Sequence, residues 1–272
     1  MHPILFRLGP FELRSYGVML TIAFITGYII ATKRARKVKL SPDIILNIAV
    51  IIVISTIVGS RLFYIASHTS KLTYKTILTA FIPIQADGTI GISGLSMMGG
   101  IALAILALFI YIKLKRLSFL KIGDVIAPEF LLGVGITRIG CFLNGCCYGK
   151  PCQGFLCFVF SPNSAAGSRF FGTPILATQL ISSFMGFLLF ALVMLLERYK
   201  KFDGYSFALT LILYSIDRSI IDTIRYYSPD VIMGHIGNIQ IVNNHIILGL
   251  LFIVGIFVFL YYGRRKGKVE NK

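Results

Sequence analysis

The stretch Gly133–Cys157, GVGITRIGCFLNGCCYGKPCQGFLC, decides how the rest of this 272-residue chain is interpreted. It follows an apolar segment and carries one early cation, Arg138, between glycines and apolar residues. It also holds every cysteine of the chain: Cys141, Cys146, Cys147, Cys152 and Cys157. A charge in so apolar a setting is costly, so this run indicates a polar task at membrane depth.

The composition predicts an all-α integral membrane protein. Hydrophobic residues make up 56% of the chain and charged residues 14%, and the mean hydropathy is +0.81. A soluble domain has roughly 25% charged residues. No polar linker divides the sequence, which predicts one transmembrane domain over residues 1–272. The first residues, Met1–Gly17, lack the pattern of a removable signal peptide.

Seven apolar stretches bounded by charge predict about seven transmembrane helices, because most approach the ~20 residues that span a bilayer. The fourth stretch is short and contains Asp124, Pro128 and Glu129, so we expect it to line a cavity rather than face lipid. The stretches are Tyr16–Thr32, Ile44–Ala66, Leu95–Ile112, Ile122–Ile136, Ile175–Leu196, Tyr205–Thr223 and Ile246–Tyr262.

The positive charges sort by side of the membrane when seven helices are assumed. The connections after the odd-numbered helices contain Lys33–Lys39, Lys113–Lys121, Arg198–Lys201 and Arg264–Lys268, and with Lys272 they hold 17 of the 27 Lys and Arg residues. The positive-inside rule then predicts an outer N-terminus and a cytoplasmic C-terminus. Anionic lipid accounts for the +16 net charge, so we expect the bilayer as partner and no nucleic acid.

The long connections fall on the predicted outer side, and the inner ones are short. They are Ser67–Gly94, Arg138–Pro174 and Tyr226–Asn244. Three sizeable outer loops predict that the protein acts at its outer face.

Charged residues inside apolar segments have two interpretations. Arg218 and Asp222 are four residues apart, share a helix face and are expected to pair. Arg138, Arg218 and Arg225 are then either snorkelling or ion-paired structural residues, or guanidinium groups that converge on an anion. The planar fork of arginine is well suited to a phosphate.

The cysteines also leave alternatives open. On an oxidising outer face they predict one or two disulfides and a remaining thiol, with Cys146, Cys147, Cys152 and Cys157 as the partners. The spacing C-C-x4-C-x4-C lacks the C-x2-C pairs of common zinc sites, and no His lies nearby, so we expect no metal. Elsewhere, Gly59 and the pair Gly99–Gly100 indicate close helix contacts.

These segments together resemble the prolipoprotein diacylglyceryl transferases of bacteria over nearly the whole chain. RSYGVML is similar to the family's (H/R)-W-Y-G-L-M opening, and TRIGCFLNGCCYG to its G-R-I-G-N-F-I-N-G-E-x-x-G signature. GSRLFYI, SMMGGI, ATQL and YSIDRSIIDTIRY resemble four further family segments in the same order. The G-C-C-Y-G version of the signature is typical of a divergent, cysteine-rich branch.

The resemblance implies transfer of an sn-1,2-diacylglyceryl group from phosphatidylglycerol to the lipobox cysteine of a prolipoprotein signal peptide. A thioether would form and glycerol 1-phosphate would leave, at the outward side of the bacterial inner membrane and without a cofactor. The implied catalytic residues are Arg218, Tyr16 and Arg138; the implied substrate-binding residues are Arg138, Arg61, Asn144, Gly149, Gln179, Arg225, Gly99 and Gly100.

Several positions depart from the family pattern; Asp222 stands in place of a glutamate, and Ile181–Ser182 stands where many members have Tyr-Glu. Met98 replaces a histidine, Cys141 an asparagine and Cys146 a glutamate. A methionine cannot accept a proton as a general base. The alternative hypothesis is therefore a family paralogue that binds phospholipid but uses another acceptor or is inactive. An unrelated transporter or channel is a further alternative, but the inner halves of the helices are too apolar for a polar path.

Overall fold

A computed structural model describes residues 2–8, 11–68, 96–237 and 239–270. The chain divides into two compact units. The first contains Met1–Leu5, Arg14–Ile30 and Leu120–Lys272, and the second contains Phe6–Leu13 and Ala31–Phe119. The single-domain prediction stays a prediction.

The described part of the chain is mostly helical. Five helices are long and apolar enough to cross a membrane: α1, α2, α4, α6 and α8. Helix α3 is a shorter apolar helix, and α7 carries Asp217, Arg218 and Asp222 within its 20 residues. The helices are α1 (Ser15–Lys37), α2 (Pro42–His68), α3 (Met97–Leu114), α4 (Phe119–Asn144), α5 (Ala165–Arg169), α6 (Thr178–Leu196), α7 (Tyr205–Ile224) and α8 (Asn243–Glu270).

The predicted apolar stretches lie on these helices, and two of the differences in boundary concern the segments around the site. Helix α4 continues past the predicted end at Ile136 to Asn144 and therefore includes Arg138 and Cys141. The predicted start of the fifth stretch is extended chain, because Ile175–Leu176 is a strand and α6 begins only at Thr178. The residue Leu95 and most of the predicted loop Ser67–Gly94 lie outside the described residues.

Short two-stranded sheets lie between or before the long helices. Strands β1 (Ile4–Leu8) and β2 (Phe11–Arg14) form one two-stranded sheet. In the second, β3 (Cys157–Phe158) pairs antiparallel with β4 (Ile175–Leu176), so that Cys157 lies opposite Leu176. In the third, β5 (Ile232–Ile236) pairs antiparallel with β6 (Ile239–Val242).

Buried side chains and close helix contacts build the first unit. Ala23 of α1 packs with Leu132 and Ile136 of α4. Glycines bring the helices together: a Cβ on Gly140 would lie 2.9 Å from the Cβ of Met19 on α1. Such contacts position the C-terminal end of α4 against the start of α1.

Asp124 fixes the junction between α4 and α7. The backbone N–H groups of Gly204 and Phe207 donate to its carboxylate at 2.7 and 2.9 Å, and Lys200 Nζ lies 2.8 Å from Asp124 Oδ2. The Asp124 carboxylate thus accepts hydrogen bonds from backbone N–H groups at the start of α7, which have no partner within the helix. The expectation that the fourth stretch lines a cavity is therefore corrected for Asp124, whose buried carboxylate serves as a cap and an ion-pair partner.

In the second unit, α2 and α3 pack through glycines. A Cβ on Gly59 or on Gly99 would clash with the opposite backbone, and one on Gly100 would lie 3.0 Å from the carbonyl oxygen of Thr56. This confirms the close helix contact that the sequence predicted at these glycines.

Candidate functional site

The loop after α4 folds back on the end of that helix. Gly145 and Cys147 have φ values of +70° and +62°, and the Cys146 N–H donates to the Cys141 carbonyl at 3.1 Å. Glycine adopts this left-handed region freely, whereas a residue such as Cys147 pays about 1 kcal/mol or more. The reversal returns Cys146 and Cys147 to the helix end that carries Cys141.

Residues at the start of α6 hold this loop in place. Thr178 Oγ1 donates to the Cys147 carbonyl at 2.8 Å, and Gln179 Nε2 donates to the Cys146 carbonyl at 2.7 Å. Gln179 is 1% exposed, and within the described ranges its Oε1 has no hydrogen-bond partner. Gln179 therefore uses one end of its amide to hold the loop and keeps a buried acceptor at the other.

Gly149 also holds the loop against the segment before α6. Its N–H donates to the Leu176 carbonyl at 2.9 Å, and an added Cβ would lie 2.7 Å from Thr178 Cγ2. It also pairs with Arg225 across a β-bridge. The predicted substrate-binding residue Gly149 thus has a packing role that leaves no room for a side chain.

The cysteines divide into one disulfide and one thiol cluster. Cys152 and Cys157 are bonded to each other, as the sequence predicted for this group. Cys146 and Cys147, which the sequence placed with them, are free thiols, and so is Cys141. The Sγ atoms of these three all lie within 4.8 Å of one another.

Two arginines act on the same sulfur of that cluster. Arg138 of α4 and Arg225, just after α7, both interact electrostatically with Cys147. Hydrogen bonds from Cys141 and Cys146 lower the pKa of Cys147, and the two arginines act in the same direction. Arg138 and Arg225 therefore both lie within electrostatic range of the same cysteine.

Tyr16 and Asn144 belong to the same place. The Tyr16 side chain is in electrostatic contact with Arg138 and with the three thiols, and it is 41% exposed. The Asn144 side chain interacts with the Cys146 thiol. Both predicted site residues are thus neighbours of the thiol cluster.

Arg218 is held by a polar network on α7. Its Nη2 lies 2.8 Å from Asp222 Oδ1, which confirms the predicted ion pair. Asp222 is fully buried and also accepts hydrogen bonds from Tyr227 and Asn244. Burial, and then the hydrogen bond to Asp222, raise the pKa of Tyr227, so its hydroxyl stays protonated and keeps donating.

Tyr214 connects the two arginine positions. It interacts electrostatically with both Arg218 and Arg138, and Asp217 does the same. The sequence analysis did not identify Tyr214, Tyr227 or Asn244. Tyr214 lies four residues before Arg218, so the i,i+4 spacing could have placed it on the same helix face. Tyr227 and Asn244 lie after α7 and have no such spacing to Arg218 or Asp222.

The remaining predicted residues belong to the second unit. Arg61 is partly buried on α2, and Gly99 and Gly100 pack α3 against α2. Met98, beside these glycines, is 57% exposed. The first unit contains the others: Tyr16, Arg138, Asn144, Gly149, Gln179, Arg218 and Arg225.

The helices and this site define a class: a helical, membrane-embedded protein with partly buried arginines gathered at the ends of its helices. Comparison with known proteins names the family. Residues 3–269 match the family model described as prolipoprotein diacylglyceryl transferase, and the chain belongs to this family.

Individual relatives agree over most of their length. A phosphatidylglycerol–prolipoprotein diacylglyceryl transferase of Clostridium tetani is 31% identical over 95% of this chain and 97% of its own length. One of the same name from Finegoldia magna is 29% identical over the full length of both chains. Another from Prochlorococcus marinus is 32% identical over 82% of this chain and 78% of its own.

Proposed function

We propose that this chain transfers the sn-1,2-diacylglyceryl group of phosphatidylglycerol to the lipobox cysteine of a prolipoprotein signal peptide. The observation that carries the proposal is that Arg138 and Arg225 both interact electrostatically with Cys147, one of three cysteines whose sulfurs lie within 4.8 Å of one another. Two arginines from separate segments beside one cluster form a site for an anion, and the family match indicates which anion.

The phosphate of the lipid is that anion. Arg138 and Arg225 can each donate two parallel hydrogen bonds to phosphate oxygens. Tyr16 and the free Oε1 of Gln179 add a donor and an acceptor for the hydroxyl groups of the lipid or for the acceptor peptide. Arg61, Asn144, Gly99 and Gly100 complete the proposed binding residues by their positions in the family pattern.

The transfer breaks one C–O bond and forms one C–S bond. The acceptor thiol loses its proton to water, its sulfur attacks the glyceryl carbon, and the electron pair of the C–O bond leaves with glycerol 1-phosphate. Negative charge grows on the departing phosphate, so fixed cations stabilise the transition state more than the ground state. Arg218 is such a cation, because Asp222 and Tyr227 fix its guanidinium.

The proposed topology places this site on the outward side of the bacterial inner membrane. Helices α3 and α7 would cross the bilayer together with the five long apolar helices, which makes seven. The outer N-terminus and cytoplasmic C-terminus follow from the distribution of Lys and Arg. Phosphatidylglycerol and the membrane-inserted signal peptide would then reach the site from the lipid.

A second candidate function is supported by the replaced positions. Met98, Cys141 and Cys146 stand where the family pattern has a histidine, an asparagine and a glutamate. A paralogue that binds phospholipid without lipidating prolipoproteins is the alternative that these changes favour.

Expression in cells depleted of their own transferase separates the two. We expect the wild-type chain to convert prolipoprotein to the lipidated form, and Arg138→Ala to abolish conversion. A well-expressed wild-type chain that binds phosphatidylglycerol vesicles but converts no prolipoprotein would favour the paralogue.

A further inference from the structure

The proposed transfer leaves three thiols of the site without a role. Cys141 is buried in the last turn of α4, and Cys146 and Cys147 are partly buried in the loop that follows. Their sulfurs lie within 4.8 Å of one another, and in the described part of the chain no His, Asp or Glu joins the group. Three converging sulfurs with no competing hard ligand form a site for a thiophilic cation.

We propose that Cys141, Cys146 and Cys147 bind one Zn²⁺ as thiolates, and that the open fourth position takes the thiol of the acceptor. The zinc site stands on the geometry of these cysteines. The identity of the fourth ligand rests on the proposed function.

The geometry is close to that of a zinc site. Tetrahedral zinc with Zn–S bonds of ~2.3 Å holds its sulfurs ~3.8 Å apart, a separation that modest side-chain rotations of the cluster would reach. The sequence argued against metal from the spacing of Cys146 and the later cysteines. In the folded protein the loop turns back on α4, so the third sulfur beside Cys146 and Cys147 comes from Cys141 on that helix and not from a later cysteine.

The backbone supports this arrangement. Cys147 keeps a left-handed conformation, which persists in a folded protein only where the surroundings enforce it. Thr178 and Gln179 enforce it by hydrogen bonds to the carbonyls of Cys147 and Cys146. The sulfurs are thus held on a fixed support.

The charges of the site also favour a metal thiolate. Three thiolates and one Zn²⁺ have a net charge of −1, and a fourth thiolate makes it −2. Arg138 and Arg225 next to Cys147 offset that charge. A bare cation would be repelled by these arginines, whereas an anionic zinc–thiolate group is stabilised by them.

Such a site would activate the acceptor without a histidine at position 98. A thiol that coordinates zinc loses its proton to water. The resulting thiolate attacks the glyceryl carbon, and the electron pair of the C–O bond leaves with the phosphate of glycerol 1-phosphate. The thioether product then leaves the fourth position of the zinc site. No oxidation or reduction takes place.

Metal content of the full chain, purified in detergent with a thiol reductant, tests the site itself. We expect about one zinc per chain and Zn–S distances of ~2.3 Å by X-ray absorption. Cys141→Ser should weaken Zn²⁺ binding at least ~100-fold. The control Cys152→Ser/Cys157→Ser removes two sulfurs outside the cluster and should keep zinc. Titration of the wild-type chain with Zn²⁺ covers the case in which Cys141→Ser does not fold.

A wild-type chain that binds no Zn²⁺ in that titration overturns the proposal. So does a disulfide between any two of the three cysteines in protein isolated without reductant. Equal Zn²⁺ affinity of wild type and Cys141→Ser overturns the ligand assignment.

A lipobox peptide tests the fourth position. Its addition should raise the number of sulfurs around zinc from three to four, and the peptide with Ser in place of Cys should not. A count that stays at three overturns the role in acceptor binding. Transfer by zinc-free protein would overturn the role of zinc in transfer and leave the proposed function intact. A stoichiometric zinc site in a protein that performs no transfer would support the zinc site and contradict the proposed function.

Discussion

Arg218 Nη2 lies 2.8 Å from Asp222 Oδ1 one turn later on α7, and both side chains are largely or fully buried. Tyr227 and Asn244 also donate hydrogen bonds to that carboxylate. The pair therefore fixes a guanidinium beside the site and also connects α7 to the chain after it. Its two roles, structural and functional, can be separated by mutation.

Asp222→Ala should destabilise the protein strongly, because it leaves the buried Arg218 without its counter-ion. Breaking one partner of a buried ion pair costs about 3–5 kcal/mol. Thermal unfolding in detergent measures the loss. Tyr227→Phe is the matched control, because it removes the hydroxyl that donates to the same carboxylate and accepts from Arg218 but keeps the ion pair, and it should cost only about 1–2 kcal/mol. Equal stability of Asp222→Ala and wild type would show that the pair does not hold α7.

Arg138→Lys should lose most transferase activity although its charge is retained. Lysine has no planar fork and cannot make two parallel hydrogen bonds to a phosphate. We expect a fall of about 100-fold or more in the transfer rate, the effect of removing one transition-state donor. Lipidation of a prolipoprotein substrate with purified protein measures it.

Arg169→Lys provides the comparison for that variant. Arg169 stacks over the ring of Tyr226 with 4.9 Å between the guanidinium carbon and the ring centroid, and it has no proposed part in transfer. Its substitution should leave the rate within a few-fold. Comparable losses in both variants would argue that Arg138 acts through packing.

Asp124→Ala should lower stability without changing the chemistry. It removes the acceptor for the Gly204 and Phe207 N–H groups and the partner of Lys200. Loss of a helix cap and a buried ion pair together should cost about 2–4 kcal/mol. The exposed Asp203, 3.8 Å from the same lysine, is the control, and Asp203→Ala should change stability by less than about 0.5 kcal/mol. Comparable melting temperatures for the two variants would refute the capping role.

Gly149→Ala should be poorly tolerated. The new Cβ would lie 2.7 Å from Thr178 Cγ2 and 2.9 Å from Leu176 Cβ, and overpacking of this kind costs about 1–3 kcal/mol. Gly133→Ala is the control inside α4, because a Cβ there meets nothing within 4 Å and should stabilise the helix by about 0.5–1 kcal/mol. Unfolding measurements that place both variants above wild type would contradict the observed packing.

The disulfide between Cys152 and Cys157 should be the only one within the five cysteines. Mass analysis after thiol blocking should find three blocked cysteines before reduction and five after it. Closing a loop this short should contribute about 2 kcal/mol, measured with Cys152→Ser/Cys157→Ser. Five blocked cysteines before reduction would show that the bond is absent.

Local chemistry allowed much of this protein to be predicted from its sequence. Apolar runs such as Ile44–Ala66 can satisfy their backbone in lipid only as helices, and the structure has a helix there. The i,i+4 spacing of Arg218 and Asp222 predicted their ion pair because the helix puts them on one face. Glycines at 59 and 99 predicted a close helix contact because small residues let backbones approach.

Only the tertiary structure decided relations that depend on distant parts of the chain. Asp124 accepts a hydrogen bond from Gly204, the residue just before α7 and 80 residues later in the sequence, and hydropathy around Asp124 carries no information about that partner. Which cysteines pair depends on how the chain turns at Gly145 and Cys147, and the turn itself is held by Thr178 and Gln179. The sequence by itself determined the helices, the family and the charged residues of the site. The folded loop decided that three sulfurs lie together within electrostatic range of two arginines. Side-chain proximity there is set by hydrogen bonds between segments that are remote in sequence.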